Sequence, residues 1–127
     1  MSKRILVAED QDDLRSIIGL SLGSEGYEVA TARDGLEALE IARRRPPDIV
    51  VTNLDMPRLD GLELIRRLRA DLHLHNVPVI ILSGTGHQHA EAIIRAGAYE
   101  FLCKPFDLAL LAECVKLALN EAATSSP

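Results

Sequence analysis

The chain has no excess of basic residues, no cysteine framework and no long apolar run, and each absence removes a class of function. Fourteen Lys and Arg stand against 19 Asp and Glu, for a formal charge of −5. A surface that neutralises phosphates leaves a basic footprint, so nucleic-acid binding by this domain is not expected. The two cysteines, Cys103 and Cys114, lack CxxC spacing and fall inside apolar segments. They read as reduced thiols of a cytosolic protein rather than as a disulfide or redox pair. After Lys3-Arg4 only Ile5 to Ala8 form an apolar run, too short for a signal peptide or a membrane span. The expected location is therefore cytoplasmic, with no membrane contact. Internal repeats and low-complexity tracts are also missing, and 127 residues suit one domain that buries its own core without metals or disulfides.

What is present is an alternation of short apolar runs with amphipathic stretches. Ile5 to Ala8 reads as a buried strand, followed by Glu9-Asp10 and then Leu14, Ile17, Ile18 and Leu22 at helical spacing. Gly26 stops that helix, and Tyr27, Val29 and Thr31 alternate with Glu28, Ala30 and Ala32 as in a strand near a sheet edge. Asp34 with Glu37, and later Asp60 with Glu63, are capping-box starts. The first precedes the apolar face of Leu36, Leu39 and Ala42, which ends at Arg43-Arg44-Arg45-Pro46-Pro47; the second precedes Leu64, Ile65 and Leu68. Between them lies Ile49-Val50-Val51-Thr52-Asn53, a β-branched run suited to a strand covered on both faces, opening into Leu54-Asp55-Met56-Pro57. Val79 to Leu82 is a further apolar strand ending at Ser83-Gly84-Thr85-Gly86. Ala90, Ile93 and Ile94 mark a short helix, Phe101-Leu102-Cys103 a fifth strand running into Lys104-Pro105, and Leu108, Leu111, Val115 and Leu119 a last helix. Residues 1–123 are expected to form the domain, and Thr124 to Pro127 a frayed tail or the start of a linker.

Five strands alternating with five helices imply an α/β fold with a parallel sheet covered on both faces, because parallel strands need right-handed crossovers. Glu9, Asp10, Asn53, Ser83 and Lys104 then all fall just past the carboxyl end of a strand, the edge where such sheets bind ligands. Two carboxylates, a third oxygen-bearing side chain and a loop carbonyl are hard donors suited to Mg²⁺. A lysine, a hydroxyl and the backbone N–H groups near Gly84 would hold phosphoryl oxygens opposite the metal. That is equipment for phosphoryl transfer.

Four motifs in order, Ile5-Leu6-Val7-Ala8-Glu9-Asp10, Asn53-Leu54-Asp55-Met56-Pro57-Arg58-Leu59-Asp60-Gly61, Ser83-Gly84 and Phe101-Leu102-Cys103-Lys104-Pro105-Phe106, resemble the receiver domain of two-component response regulators. The resemblance runs from Arg4 to about Asn120. It implies a flavodoxin-like, doubly wound sheet in the order 2-1-3-4-5. It also implies a phosphoprotein of a phosphorelay, charged by a histidine kinase or a histidine phosphotransfer protein. Glu9, Asp10, the side chain at 53 and the carbonyl of Asp55 would then hold Mg²⁺, Ser83 and Lys104 would contact the phosphoryl group, Ser83 and Phe101 would be switch residues, and Lys104-Pro105 would be a cis bond. The departure is Asn53, which stands where the family has its phosphoaccepting aspartate. A carboxamide is not a competent acceptor, and with one negative charge fewer Mg²⁺ binding should weaken. All other site positions match the active pattern, which favours an engineered, non-phosphorylatable form over a natural pseudo-receiver acting as a phosphorylation-independent binding module. A phosphatase-like hydrolase built on Asn53-Leu54-Asp55 fits poorly, its nucleophile position being the asparagine, so no enzymatic turnover is expected.

Taken singly, these residues have plainer readings: ion pairs for Glu9, Asp10 and Lys104, caps for Asn53 and Ser83, core for Phe101. His73 with His75 and His87 with His89 have alternating spacing but no third ligand and read as loop histidines, the second pair near a face that could touch a partner. On the last helix Leu110, Cys114 and Leu117 form a second apolar stripe opposite the first, a candidate contact for a homodimer or another partner.

Overall fold

β-Branched and aliphatic runs give five short strands, and the intervening amphipathic segments cover both faces of the sheet they form. The computed structural model describes residues 2–125. In chain order the elements are β1 (Arg4–Ala8), α1 (Asp12–Ser24), β2 (Glu28–Ala32), α2 (Gly35–Arg44), β3 (Ile49–Asn53), α3 (Gly61–Ala70), β4 (Val79–Ser83), α4 (Gly86–Arg95), β5 (Glu100–Cys103) and α5 (Leu108–Ser125). The strands are parallel in the order β2-β1-β3-β4-β5, the flavodoxin-like order expected. β3 and β4 are buried at every position, which is why their sequences lack the alternation of a half-wet strand.

Side-chain alternation along each strand sorts the core into two layers. Leu6, Val50 and Ile81 pack with Leu39, Leu64, Leu68 and Ile93 under α2, α3 and α4. Ile5, Val7, Val51 and Leu82 pack with Ile18, Leu22, Leu111 and Val115 under α1 and α5. The N-cap half of each box forms: Asp34 Oδ1 accepts from the Glu37 amide at 2.8 Å, and Asp60 Oδ1 from the Glu63 amide at 2.8 Å, while the Glu37 side chain accepts from the Arg33 amide and that of Glu63 from Arg67. They start α2 and α3 where the capping pattern places them.

Three expectations are adjusted. Cys114 belongs less to an outer stripe than to the second core layer, against which it is partly buried. Only Leu110 and Leu117 remain about half exposed, because Cys114 sits at the margin of the buried face, roughly 40° around the helix from Ala118 and about 60° from Leu111, whereas Leu110 and Leu117 lie farther round. α5 continues to Ser125, and Ser126 and Pro127, the end of the expected tail, lie outside the described residues. His89 sits in the first turn of α4 rather than in a loop, while the side chain of His87 lies outside the described residues.

Candidate functional site

At the carboxyl edge of the sheet, β1, β3 and β5 deliver their terminal residues to one place. The ends of the central strands are held by backbone bonds. The amides of Leu54 and Lys104 donate to the carbonyls of Leu82 and Ser83, each at 2.8 Å, and the Glu9 amide donates to Ala32 O at 3.0 Å. Arg15 Nη1 reaches the Glu9 carbonyl at 3.1 Å. Side chains leaving these ends therefore start from a rigid frame.

Asn53, 6 % exposed, is at the centre. Its Nδ2 donates to Asp10 Oδ1 at 3.0 Å and to the carbonyl oxygen of Asp55 at 2.9 Å, with a longer contact of 3.4 Å to Glu9 Oε2. All three neighbours are acceptors only, which determines the orientation of the carboxamide: turned over, Oδ1 would face three oxygens. Glu9 is fully buried and is served by other donors. Lys104 Nζ lies 3.2 Å from its Oε1, and the Gln11 amide donates to its Oε2 at 3.0 Å.

The acid pair is electrostatically uneven. Burial pushes the Glu9 carboxyl above its ordinary value, and the Asp10 carboxylate beside it adds to the rise, against the Gln11 amide and the Lys104 ammonium. Burial acts upward on Asp10 too, but its contacts with Glu9 and the Asn53 amide, with the field of Lys104, bring it below the usual carboxylate range. Asp10 is thus the fixed negative charge that Asn53 faces.

The structure brings together Glu9, Asp10, Asn53, the Asp55 carbonyl and, through Glu9, Lys104. The Asp55 carbonyl faces the site, 2.9 Å from Asn53 Nδ2, while the residue as a whole is exposed. An open depression of about 380 Å³ lined by Asp10, Asp55, Met56, Pro57 and Asp60 adjoins the cluster. Ser83 is fully buried, and its Oγ is engaged locally, accepting from the Thr85 amide at 2.9 Å and lying 3.3 Å from Thr85 Oγ1. Phe101 is half-buried against the first core layer, and the Lys104–Pro105 bond is cis. Among the described residues no group of three or more His, Cys, Asp or Glu could hold a metal. The oxygen donors around position 53 have the chemistry a hard divalent cation needs. With Asn53 as oriented they do not fit one, because an amide N–H₂ points into their common focus.

Arg58, Thr85 and Gly61 were not singled out by sequence pattern. Arg58 has φ +69 and grips Asp34 with Nε and Nη2 at 2.9 and 3.1 Å, strapping the β3–α3 loop to the start of α2. Nothing periodic marks it, since its partner lies 24 residues away. Gly61 donates to Leu54 O at 2.7 Å, and a Cβ there would lie 2.6 Å from Asn53 O. A glycine directly after the cap Asp60 was the available signal.

Comparison with known proteins agrees with this geometry. A family model described as the response regulator receiver domain matches residues 5–116. The transcriptional regulatory protein PrrA of Mycobacterium tuberculosis is 41% identical over 129 residues, covering 98% of this chain but 54% of that protein. The chain thus spans about half the length of that relative. The polar-differentiation response regulator DivK of Brucella ovis is 31% identical over 123 residues, covering 96% of this chain and 100% of that protein. The receiver domain of a sensor histidine kinase from Pseudomonas aeruginosa, with a magnesium ion coordinated in its active-site cleft, superposes with a TM-score of 0.87 at 30% identity, covering 94% of this chain and 99% of that one. On sequence, topology and the placing of its strand-end residues, the chain belongs to the response regulator receiver domain family.

Proposed function

We propose that this receiver belongs to a lineage that takes a phosphoryl group from a histidine kinase or a histidine phosphotransfer protein in the cytoplasm, and that the present chain is an uncharged, non-phosphorylatable member of it. The observation that carries this is the position of Asn53, at the end of β3 between Glu9, Asp10 and the Asp55 carbonyl. An aspartate there would present a carboxylate oxygen as nucleophile; a carboxamide has no such oxygen, and its nitrogen is committed as a donor. Ser83 and Lys104 flank the place a phosphoryl group would take, Ser83 and Phe101 are the switch positions, and the chain turns over no substrate of its own. Mg²⁺ binding is weakened, because admitting the ion requires the Asn53 amide to turn and to give up its contacts. A receiver otherwise intact favours an engineered replacement of the acceptor.

A second reading has its own support. The Asn53 amide is satisfied without any ion, as in a natural pseudo-receiver that works through constitutive protein contacts. The exposed Leu110 and Leu117, with Cys114 tucked behind them, are the surface such contacts or a homodimer would use. Incubation with a small phosphodonor and Mg²⁺, followed by intact and peptide mass spectrometry, tests the main proposal. No adduct is expected on this chain, and Asn53→Asp is expected to gain one. An adduct on residue 53 itself would overturn it.

A further inference from the structure

The three acceptors converging on Asn53 come from two loops: Glu9 and Asp10 from the β1–α1 loop and the Asp55 carbonyl from the β3–α3 loop, while Asn53 itself ends β3. Oxygens from separate loops repel one another unless something positive stands among them. In this chain two groups do so, and they divide the task. Lys104 neutralises the buried Glu9 from the β5 side at 3.2 Å, supported by the Gln11 amide at 3.0 Å. The two amide hydrogens of Asn53 then go to Asp10 and to the Asp55 carbonyl at 3.0 and 2.9 Å. Arg58 on Asp34 pins the far side of the β3–α3 loop, so the Asp55 carbonyl is presented to the amide by a loop already anchored.

We infer that the Asn53 carboxamide is a built-in cation surrogate: it does for this chain what a bound divalent cation would do for three converging oxygen donors, and so makes the arrangement of the two loops independent of metal. The inference rests on the receiver reading of the site and adds what holds that site together, namely a permanent internal donor in place of an exchangeable ion. An aspartate at 53 would put a third carboxylate beside Asp10 and Glu9 and leave Lys104 as the one cation among those five groups. Loop closure would then depend on an ion from solution.

The test is thermal unfolding of the chain and of Asn53→Asp, each in excess EDTA and in millimolar Mg²⁺, followed by far-ultraviolet circular dichroism. The unsubstituted chain should unfold at the same temperature in both media, within about 1 °C, whereas Asn53→Asp should be less stable in EDTA and recover by about 3–8 °C in Mg²⁺. Equal stabilisation of both proteins by Mg²⁺, or an Asn53→Asp protein as stable in EDTA as the parent, would overturn the inference. A second measurement serves if that variant does not fold. The ¹⁵N side-chain amide pair of Asn53, assigned by its loss in Asn53→Ala, should not shift when Mg²⁺ is added to the parent. A saturable shift at millimolar Mg²⁺ would show the amide giving way to the ion. Failure of the receiver reading looks different: Asn53→Asp would show Mg²⁺-dependent stability yet take no phosphoryl group from a phosphodonor.

Discussion

Gly61→Ala tests whether the site is held by backbone packing directly behind Asn53. A Cβ on Gly61 would lie 2.6 Å from Asn53 O, 3.0 Å from Leu54 Cα and 3.2 Å from Ile81 Cδ1. The first two are main-chain atoms of a strand end bonded to β4, so they cannot swing aside as a flexible side chain would. Reaching ordinary contact needs a displacement of roughly 0.8 Å, and forcing a methyl into a packed site costs about 1–3 kcal/mol. Alanine's better helix propensity returns up to about 1 kcal/mol, for a net loss of about 1–2 kcal/mol. In a domain of this size that lowers the unfolding midpoint by about 3–8 °C. Gly23→Ala is the internal control, because nothing lies within 4 Å of a Cβ at that position in α1. There the propensity term acts alone, and a gain of up to about 1 kcal/mol is expected. The same chemical change thus has opposite signs at two helical glycines. Urea titrations of both variants with a shared m-value would measure it. A Gly61→Ala protein as stable as the parent would refute the packing argument.

Three further predictions concern the surroundings of the site. Arg58 holds a left-handed backbone at φ +69, which costs a non-glycine residue about 1 kcal/mol; both Arg58→Gly and Arg58→Ala lose the Asp34 pair, but the glycine variant should be the more stable by about that amount in denaturant melts. The Asp34 carboxyl is raised by burial but brought net below its ordinary 3.8 by the Glu37 amide and the Arg58 guanidinium; its depressed folded value means stability present above 3.8 and lost as pH falls through the folded value, so the stability gap between the parent and Asp34→Asn should be constant near neutrality and close in the acid limb. Leu110→Glu with Leu117→Glu should leave the unfolding midpoint within about 1–2 °C, since both side chains are about half exposed; sedimentation then reads whether the pair forms an association surface, and unchanged sedimentation and partner binding remove that reading.

Much of the architecture was legible in local pattern. Ile49 to Val51 and Val79 to Leu82 are short, fully apolar and β-rich, and such runs are stable only when covered on both sides. Asp34 with Glu37 and Asp60 with Glu63 mark helix starts because the bonds that cap a helix span three residues. Placing Glu9, Asp10, Asn53 and Lys104 at strand ends required only counting along each segment. Cys114 shows where counting is weak: a residue at the margin of a helix face can belong to the core or to the surface, and the depth of its neighbours decides.

By itself, then, the sequence determined the order of elements, the sheet edge at which chemistry would gather and the absence of an acceptor carboxylate at position 53, all of which depend on residues close together in the chain. Tertiary structure alone decided what fills that absence. The Asn53 nitrogen turns inward because Asp10 and Glu9, 43 and 44 residues away, and the Asp55 carbonyl offer only acceptors. Lys104 is engaged by Glu9 from a separation of 95 residues, and Arg58 reaches back to Asp34. The direction of a hydrogen bond is set by the partner it meets, and these partners meet only once the sheet has formed.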